Sequence, residues 1–460
     1  MLQNYMVNFE LSQEQKSKLS WVRYLAVRIL SRYERSDSYL DKLLANELKN
    51  NDLTSQDKAL LNELINGVVR WKLKLDWALT GFYNGDYQKC LNFVKNAMRV
   101  GLYQIMFLEK IPPYAAIDEA VEIVKQIQGE KTAGMVNAVL RNLHRNLDKI
   151  RYPDKEEDLV YYLATVHSHP KWMVKRWLDR FSEEETEKLL ISNNLRPYIP
   201  IRVNLLNSTI EKIKYLLDKN NVEYEQSKYL PQTFLLKNPK FDITSTEIFQ
   251  KGEITIQDPS ASLAVMLAAP KPGYSVMDIA AAPGGKSFFL AELMKNQGKI
   301  LAIEKYSSKI RLINEGRDRL RLPIIETMAE DARKLRFQEK VDLIFADLPC
   351  SGLGTLRKKP DIKWKRDSDD IPKIVELQKE IVSNALRFMQ KGSVLLYSTC
   401  TIEPEENEQV IEWLLKNNPE LKLDPAENYL PKEVCQDGFM KTYPHIHGID
   451  GAFAARLVKI

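Results

Sequence analysis

Apolar residues recur at helical spacing through the first third of the chain, in "WVRYLAVRILSRY", "DKALLNELINGVVRWKLKLDWALTGFY", "LNFVKNAMRVGLYQIMFL" and "AAIDEAVEIVKQIQ". A repeat of three to four residues places one apolar stripe on each helix, so residues 1–150 are predicted to form an all-helical domain. Thr54 and Ser55 precede one repeat as N-caps, and Pro112 and Pro113 separate two helices. The pattern then changes. "RYPDKEEDLVYYLATVHSHP" reads as a charged linker and a helix, and "PIRVNLLNSTIEKIKYLLDKNNVEYEQSKYLPQTFLLKN" mixes short strands with a helix, so residues 151–250 are expected to hold a linker helix and a small α+β (RRM-like) domain. From residue 251 to 460 strands and helices alternate, with strands expected at "YSVMDIA", "KILAIEK", "IIETMAE", "VDLIFADL" and "SVLLYST". That alternation predicts a Rossmann-like, doubly wound α/β domain. The closing stretch "GFMKTYPHIHGIDGAFAARLVKI" predicts an antiparallel strand pair at the sheet edge.

Length and composition change this picture little. A chain of 460 residues exceeds what one core organises, in keeping with a multidomain protein. With 44% hydrophobic and 28% charged residues there is no run of the roughly 20 apolar residues that a membrane crossing needs. "MLQNYMVNFELSQEQKSK" lacks the basic head and apolar core of an export signal, so a cytoplasmic location is expected. Cys90, Cys350, Cys400 and Cys435 are too scattered for paired zinc ligands and are expected as free thiols. The net charge of +5 is a weak pointer to an acidic partner.

Candidate chemistry concentrates in the α/β half. "VMDIAAAPGGKSFFLAEL" runs from a strand through a Pro-Gly-Gly turn into a helix beginning near Lys286. Such a turn brings backbone N–H groups close to a ligand, and the small side chains of Ala280, Ala281 and Ala282 leave space before Pro283, Gly284 and Gly285. "KILAIEK" ends on Glu304, nineteen residues after Gly285, near the interval at which an acid accepts from ribose hydroxyls. Asp331 follows the third strand, where an acid can accept from an adenine amino group. Each carboxylate alone could be a solvated surface group. Together they outline a nucleoside-shaped slot without GxGxxG phosphate spacing, which fits S-adenosylmethionine better than a dinucleotide.

Cys350 in "VDLIFADLPCSG" and Cys400 in "SVLLYSTCTIEPEEN" each follow a predicted strand, at the sheet edge where open α/β folds bind ligands. A lone cysteine is ordinarily a small buried hydrophobe. Two at corresponding strand ends point to a shared cleft. A thiolate is the soft nucleophile that adds to carbon 6 of a pyrimidine and makes carbon 5 electron-rich enough to accept a methyl group, while a second thiol assists proton removal or departure. Asp347, beside them, could hold the base edge by accepting from a protonated ring nitrogen or an amino group. The residues alone leave either thiol as the attacker.

"AAAPGGK", "DLPCSGLGTLRKKPDIKW", "STCTIEPEENE" and "PHIHGIDGAFAARLVK" closely resemble the RNA cytosine-5 methyltransferases, in particular the RsmB/Sun/Fmu family of bacterial 16S ribosomal RNA enzymes. The N-terminal "VVRW", "IPPYAAIDEAVEIVK" and "GMVNAVLRN" resemble that family's NusB-like helical RNA-binding domain, and "HPKWMVKRW" with "PIRVN" its middle segment. The resemblance implies that Cys400 is the covalent nucleophile and that Cys350 promotes product release. It implies that S-adenosylmethionine lies along residues 280–286 and at Glu304, Asp331 and Asp347, with Lys286 near the reacting base. Three positions depart from the family pattern: Ala280 stands where cysteine is usual, Leu348 replaces a smaller alanine, and "DGAF" replaces Asp-Gly-Phe-Phe.

On the substrate side, "LRKKPDIKWKR" carries six Lys or Arg between residues 357 and 366, interleaved with Trp364. Beside a base pocket this run is expected to grip RNA phosphates, Trp364 stacking on a base or anchoring the loop. Arg70, Arg99 and Arg141 could add RNA contacts or be surface charge. A ring carbon is reached only in an unstacked nucleotide, so an unpaired ribosomal RNA target is expected. His445 and His447 lack a partnering cluster; no metal and a monomeric protein are expected. The competing readings are a transfer RNA cytosine-5 methyltransferase and a catalytically inactive NusB-like RNA-binding adaptor.

Overall fold

The computed structural model describes residues 20–237, 239 and 241–460, which form two compact units. The stretch read for an export signal, residues 1–18, lies outside the described residues. No helix among those described is long and apolar enough to cross a membrane.

The first unit comprises the helical region to Leu190 together with Lys363–Lys365. Its helices include α1 (Trp21–Tyr33), α2 (Leu40–Asn50), α3 (Ser55–Arg70), α4 (Lys72–Phe82), α5 (Asn92–Phe107), α6 (Pro113–Gln128) and α7 (Glu130–Arg145). Thr54 caps α3 by accepting from the Asp57 N–H at 3.1 Å, and Pro113 occupies the first turn of α6, where no N–H is missed. The apolar stripes meet in one core around Leu25, Leu61, Ala97 and Leu140. The unit runs past residue 150, through α8 (Leu159–Val166) and α9 (Lys171–Leu178), so the segment expected as a linker packs with the helices. Arg99 is no RNA contact: its buried guanidinium donates to Asp76 Oδ1 and Oδ2 at 2.6 and 2.8 Å and to Glu34 at 2.6 Å. Arg70 is buried as well, whereas Arg141 is half exposed beside Asp118 at 3.2 Å.

Lys363–Lys365, from the basic run, belong to this unit. Lys363 is fully buried, its ammonium donating to the carbonyls of Arg70 and Ser168 at 2.9 Å each, while Trp364 Nε1 donates to Val69 O at 2.7 Å. Burial, with Arg70 beside it, pushes the Lys363 ammonium well below the ordinary lysine value. Lys363→Ala would strip two buried carbonyls of their donor and is expected to destabilise the helical unit by about 2–4 kcal/mol, read as a lowered thermal midpoint.

The second unit contains two sheets. The smaller has β1 (Ile199–Val203), β2 (Tyr224–Gln226), β3 (Thr233–Leu236) and β4 (Ile254–Ile256) in the order β2-β3-β1-β4, all antiparallel, and α11 (Ile210–Lys219) packs on it. α10 (Glu183–Asn194) leads into it. Because β4 pairs with β1, the sheet extends beyond residue 250. The larger sheet begins after α12 (Pro259–Ala268), with β5 (Ser275–Ile279), α13 (Gly285–Leu293), β6 (Lys299–Glu304), α14 (Ser307–Leu320), β7 (Ile325–Ala329) and β8 (Val341–Asp347). It continues with α15 (Asp370–Ala385), β9 (Met389–Thr399), α16 (Glu408–Asn417), β10 (Leu421–Leu423), β11 (Cys435–Gln436), β12 (Phe439–Thr442) and β13 (Ala452–Lys459).

Strands β7-β6-β5-β8-β9 are parallel, and β13 inserts antiparallel beside β9, with β12 and β11 outside it. Alternate residues of a strand face opposite cores: Phe345 packs with Phe288 and Leu263 on one side, Ile344 with Met277 and Leu395 on the other. The chain leaves β5 toward β6 on one side and returns to β8 on the other. The carboxyl ends of β5 and β8 therefore flank the topological switch point, where open α/β sheets bind ligands.

Candidate active site

At that edge the turn after β5 is shaped for close backbone approach. Ala280 has φ +60° and Gly284 φ +106°, and a Cβ on Gly284 would lie 2.5 Å from the Phe288 ring. The Gly284 N–H bonds Ala281 O at 2.8 Å, and α13 starts at Gly285, one residue before Lys286. Its first amides point toward any ligand on the turn. Below the turn lies Asp278, an acid the sequence reading did not single out. It is fully buried, accepts from the Ser287 hydroxyl, and its Oδ1 has no hydrogen-bond partner among the described residues. Burial pushes its carboxyl up to about 7. Glu304 ends β6, buried, accepting from the Tyr306 N–H at 3.1 Å with Lys309 Nζ at 3.7 Å. Asp331 already accepts from Arg333 at both oxygens, Nε at 3.0 Å and Nη2 at 2.7 Å, with Lys305 at 3.4 Å. These contacts, led by the Arg333 bond, hold it well below the usual carboxylate range.

β8 and β9 bring the thiols together. Asp347 ends β8 and pairs in register with Ser398 of β9, so the three-residue extension to Cys350 turns back over the end of β9. Cys350 Sγ lies 3.1 Å from Cys400 Sγ and accepts from the Cys400 N–H at 3.3 Å. Cys400 is exposed and Cys350 half-buried. Behind Cys400 two glycines allow a tight approach: Gly354 N–H donates to Cys400 O at 3.1 Å, and a Cβ on Gly354 would sit 2.0 Å from Gly451 O. Lys286 reaches from α13 to Asp347 Oδ2 at 2.5 Å. Leu348 turns away from this group: it is buried in the core with Met277 and Ile279, and its N–H bonds Ser398 O at 2.9 Å.

The electrostatics separate the two sulfurs. The hydrogen bond from Cys350, aided by the cations of Lys286 and Lys359, draws the Cys400 thiol below its ordinary value, against the desolvation of its sulfur by the surrounding groups and the charge of Asp347. The same bond, with burial and the negative charges of Cys400 and Glu406, pushes Cys350 well above it. Cys350 is therefore the sulfur that keeps its proton and Cys400 the one that gives it up more readily. Burial alone would lower Lys286, but Asp347 and, more weakly, Cys400 hold it above the ordinary lysine value, so it stays charged. This arrangement offers a soft nucleophile, a proton-bearing neighbour and a cation–carboxylate pair within one opening.

The basic run does not form the expected phosphate grip. Lys358 is tied to Asp258 and to Asp450 at 3.0 Å, with Tyr198 Oη donating to Asp258 at 3.0 Å; burial pushes Asp450 up to about 7. Arg357 donates to Arg196 O at 2.8 Å, and Lys363, Trp364 and Lys365 belong to the helical unit. Of the six cations only Lys359 is exposed. Most of the run is engaged by carbonyls and acids of the protein itself, although of its cations only Lys363 is fully buried. His447 likewise bonds backbone, at Tyr443 N and Glu433 O, both 2.9 Å away. No cluster of three or more candidate metal ligands occurs among the described residues.

Comparison with known proteins agrees with each part. The sequence model described as "16S rRNA methyltransferase RsmB/F" matches residues 265–458, that of the NusB family residues 20–145, and that of the RsmF/B-like ferredoxin-like domain residues 169–244. A Bacillus subtilis protein described as "Probable ribosomal RNA small subunit methyltransferase B" is 38% identical over 450 residues, 96% of this chain and 99% of its own. Among solved structures, the crystal structure of PH0851 superposes with a TM-score of 0.80 at 26% identity, covering 98% of this chain and all of its own. A methyltransferase homologue from Pyrococcus horikoshii gives 0.57 at 29% identity, covering 65% of this chain and 98% of its own. With helical, ferredoxin-like and methyltransferase parts matched in order, and similarity sustained from end to end, the chain belongs to the ribosomal RNA small subunit methyltransferase B family.

Proposed function

We propose that this protein methylates carbon 5 of a cytosine in 16S ribosomal RNA, using S-adenosylmethionine and a covalent Cys400 adduct at carbon 6. The observation that carries the reading is the 3.1 Å approach of two sulfurs whose surroundings pull their acidities in opposite directions. S-adenosylmethionine fits the residues at the sheet edge. The turn from Ala280, Ala281 and Ala282 through Pro283 and Gly284 to Gly285 carries only small side chains before Lys286, the orphaned Asp278 Oδ1 lies below it, and Glu304 ends the neighbouring strand β6. Glu304 would hold the ribose and Asp331 the adenine edge, Asp331 sharing its carboxylate with Arg333. When bound, the donor supplies an electrophilic methyl group on a sulfonium.

The protein's own residues order the proton and electron flow. Cys400 thiolate adds to carbon 6, forming the sulfur–carbon bond and placing electron density on carbon 5. Lys286 and Asp347 orient the base, Asp347 accepting from its amino group or protonated ring nitrogen. Once Cys400 is a thioether it no longer carries the negative charge that held the proton on Cys350, so that proton passes to solvent. After methyl transfer Cys350 takes the proton from carbon 5, the sulfur–carbon bond breaks, and Cys400 departs as thiolate. The resting pair is restored with one proton released per turnover, as the charge lost from the donor requires.

The protein acts in the cytoplasm, on an unassembled or partly assembled small subunit, as a monomer. The intact Cys, Lys and Asp set does not favour an inert adaptor. Bisulfite mapping of ribosomal and transfer RNA from a strain lacking the gene tests the substrate. The expected result is one 5-methylcytosine missing from 16S RNA and restored by the gene. A loss confined to transfer RNA would contradict the assignment.

A further inference from the structure

The stretch "STCTIEPEENE" continues beyond the Cys400 motif into residues that the mechanism above leaves unused. Glu403, Glu406 and Asn407 are all buried, although none is apolar. Glu406 is fully buried and has no ion-pair partner among the described residues, an expensive arrangement unless several donors satisfy it. The donors come from beside Cys350. Ser351 gives both its N–H, at 2.7 Å, and its hydroxyl to the two Glu406 oxygens. Gln378 Nε2 bonds Glu406 at 3.3 Å and Pro349 O at 2.9 Å, so the residues on both sides of Cys350 are held.

Asn407, the next residue, does the same for Cys400. It accepts from the Thr399 hydroxyl at 2.5 Å and donates to Thr401 O at 3.1 Å, bracketing Cys400. One relay joins the two halves. The Glu403 N–H donates to Thr401 Oγ1 at 3.3 Å, which directs the Thr401 hydroxyl to Ser351 Oγ at 2.8 Å and the Ser351 proton to Glu406. Consecutive side chains thus grip the backbones of the two thiols separately, and a hydroxyl pair links the grips. The negative charge of Glu406 also helps keep the proton on Cys350.

We propose that Glu406 and Asn407 are positioning residues that set the spacing of the two thiols, Glu406 through Ser351 on the Cys350 side and Asn407 through Thr399 and Thr401 on the Cys400 side. The inference rests on the two-thiol reading above for its catalytic consequence, though not for its geometry.

Two readouts test it. The first needs no activity: diamide oxidises Cys350 and Cys400 to a disulfide, itself reduced to the hydrazine, at a rate set by their mutual placement. Glu406→Ala is expected to slow this joining about tenfold and turnover about 10²-fold, because misplacement of a reacting group by about an ångström has effects of that size. The second is the covalent complex with substrate RNA, which should accumulate in Glu406→Ala because release suffers more than attack. Glu406→Gln, which keeps one acceptor oxygen for Ser351, should recover most of the joining rate. Where Glu406→Ala fails to fold, Ser351→Ala carries the same two readouts and Asn407→Ala the joining rate. Folded variants with unchanged joining rates, or with attack and release slowed equally, overturn the proposal. Cys350→Ala assayed alongside separates the two ideas: if it builds up no complex, the release role of Cys350 fails while the joining rates still decide the spacing role.

Discussion

Cys400→Ala protein is expected to lose methyl transfer by at least about 10⁴-fold and to form no covalent complex with RNA containing 5-fluorocytosine. The reason is local. Among the described residues no other side chain at this edge combines an exposed position with a thiol drawn below its ordinary pKa: Cys350 is half-buried and pushed the other way, and Cys90 and Cys435 lie elsewhere in the chain. Without the thiolate, carbon 5 of cytosine is too poor a nucleophile for direct methylation. S-adenosylmethionine affinity should stay within about twofold of wild type, because none of the groups assigned to the donor is altered. Transfer of labelled methyl groups and a denaturing gel of the RNA–protein complex check both expectations. Residual methylation above one-hundredth of wild type would remove Cys400 from the role of nucleophile.

Cys350→Ala is expected to behave oppositely. Attack should survive, since Lys286 and Lys359 still favour the Cys400 thiolate, although the hydrogen bond that contributes most to that state is gone. Release should fail for lack of a group to take the carbon 5 proton, so multiple turnover falls about 10²–10³-fold while a complex with ordinary cytosine RNA accumulates. The pH dependence of attack carries a second signature. With the Cys350 hydrogen bond removed, the Cys400 thiol titrates higher, so the rate of complex formation should keep rising at pH values where the wild type has levelled off. Single-turnover measurements across pH resolve this. An absence of complex together with lost turnover would show that Cys350 serves attack rather than release.

Much of this site was legible along the chain because its parts sit at strand ends. Asp347 and Glu304 end strands β8 and β6, and Cys400 and Cys350 follow β9 and β8 by one and three residues, so all four fall at the carboxyl edge of the parallel sheet. Lys286 was legible as the start of a helix after a glycine turn. The bracing residues were not, because their partners are remote in sequence. Lys358 meets Asp258 and Asp450, 100 and 92 residues away, and nothing local distinguishes such a lysine from one exposed to solvent. The same limit hid Lys363, whose acceptors Arg70 O and Ser168 O lie 293 and 195 residues earlier. A cluster of cations around a tryptophan therefore looks like an RNA grip along the chain, while five of its six cations have acceptors within the protein. Asp278 had a usable signal, as an acid within an apolar run, where a carboxylate must be satisfied by something specific; Glu406 had none, because it stands among other acids in "EPEENE".

The division of labour between the two thiols is tested most directly by finding where RNA becomes attached. The wild-type protein, incubated with S-adenosylmethionine and RNA carrying 5-fluorocytosine, should arrest after methyl transfer, because fluorine cannot leave carbon 5 as a proton does. Peptide mapping of the arrested complex by mass spectrometry should place the nucleotide on Cys400, with Cys350 free to react with an alkylating agent. Attachment at Cys350, with Cys400 left alkylatable, would contradict the account.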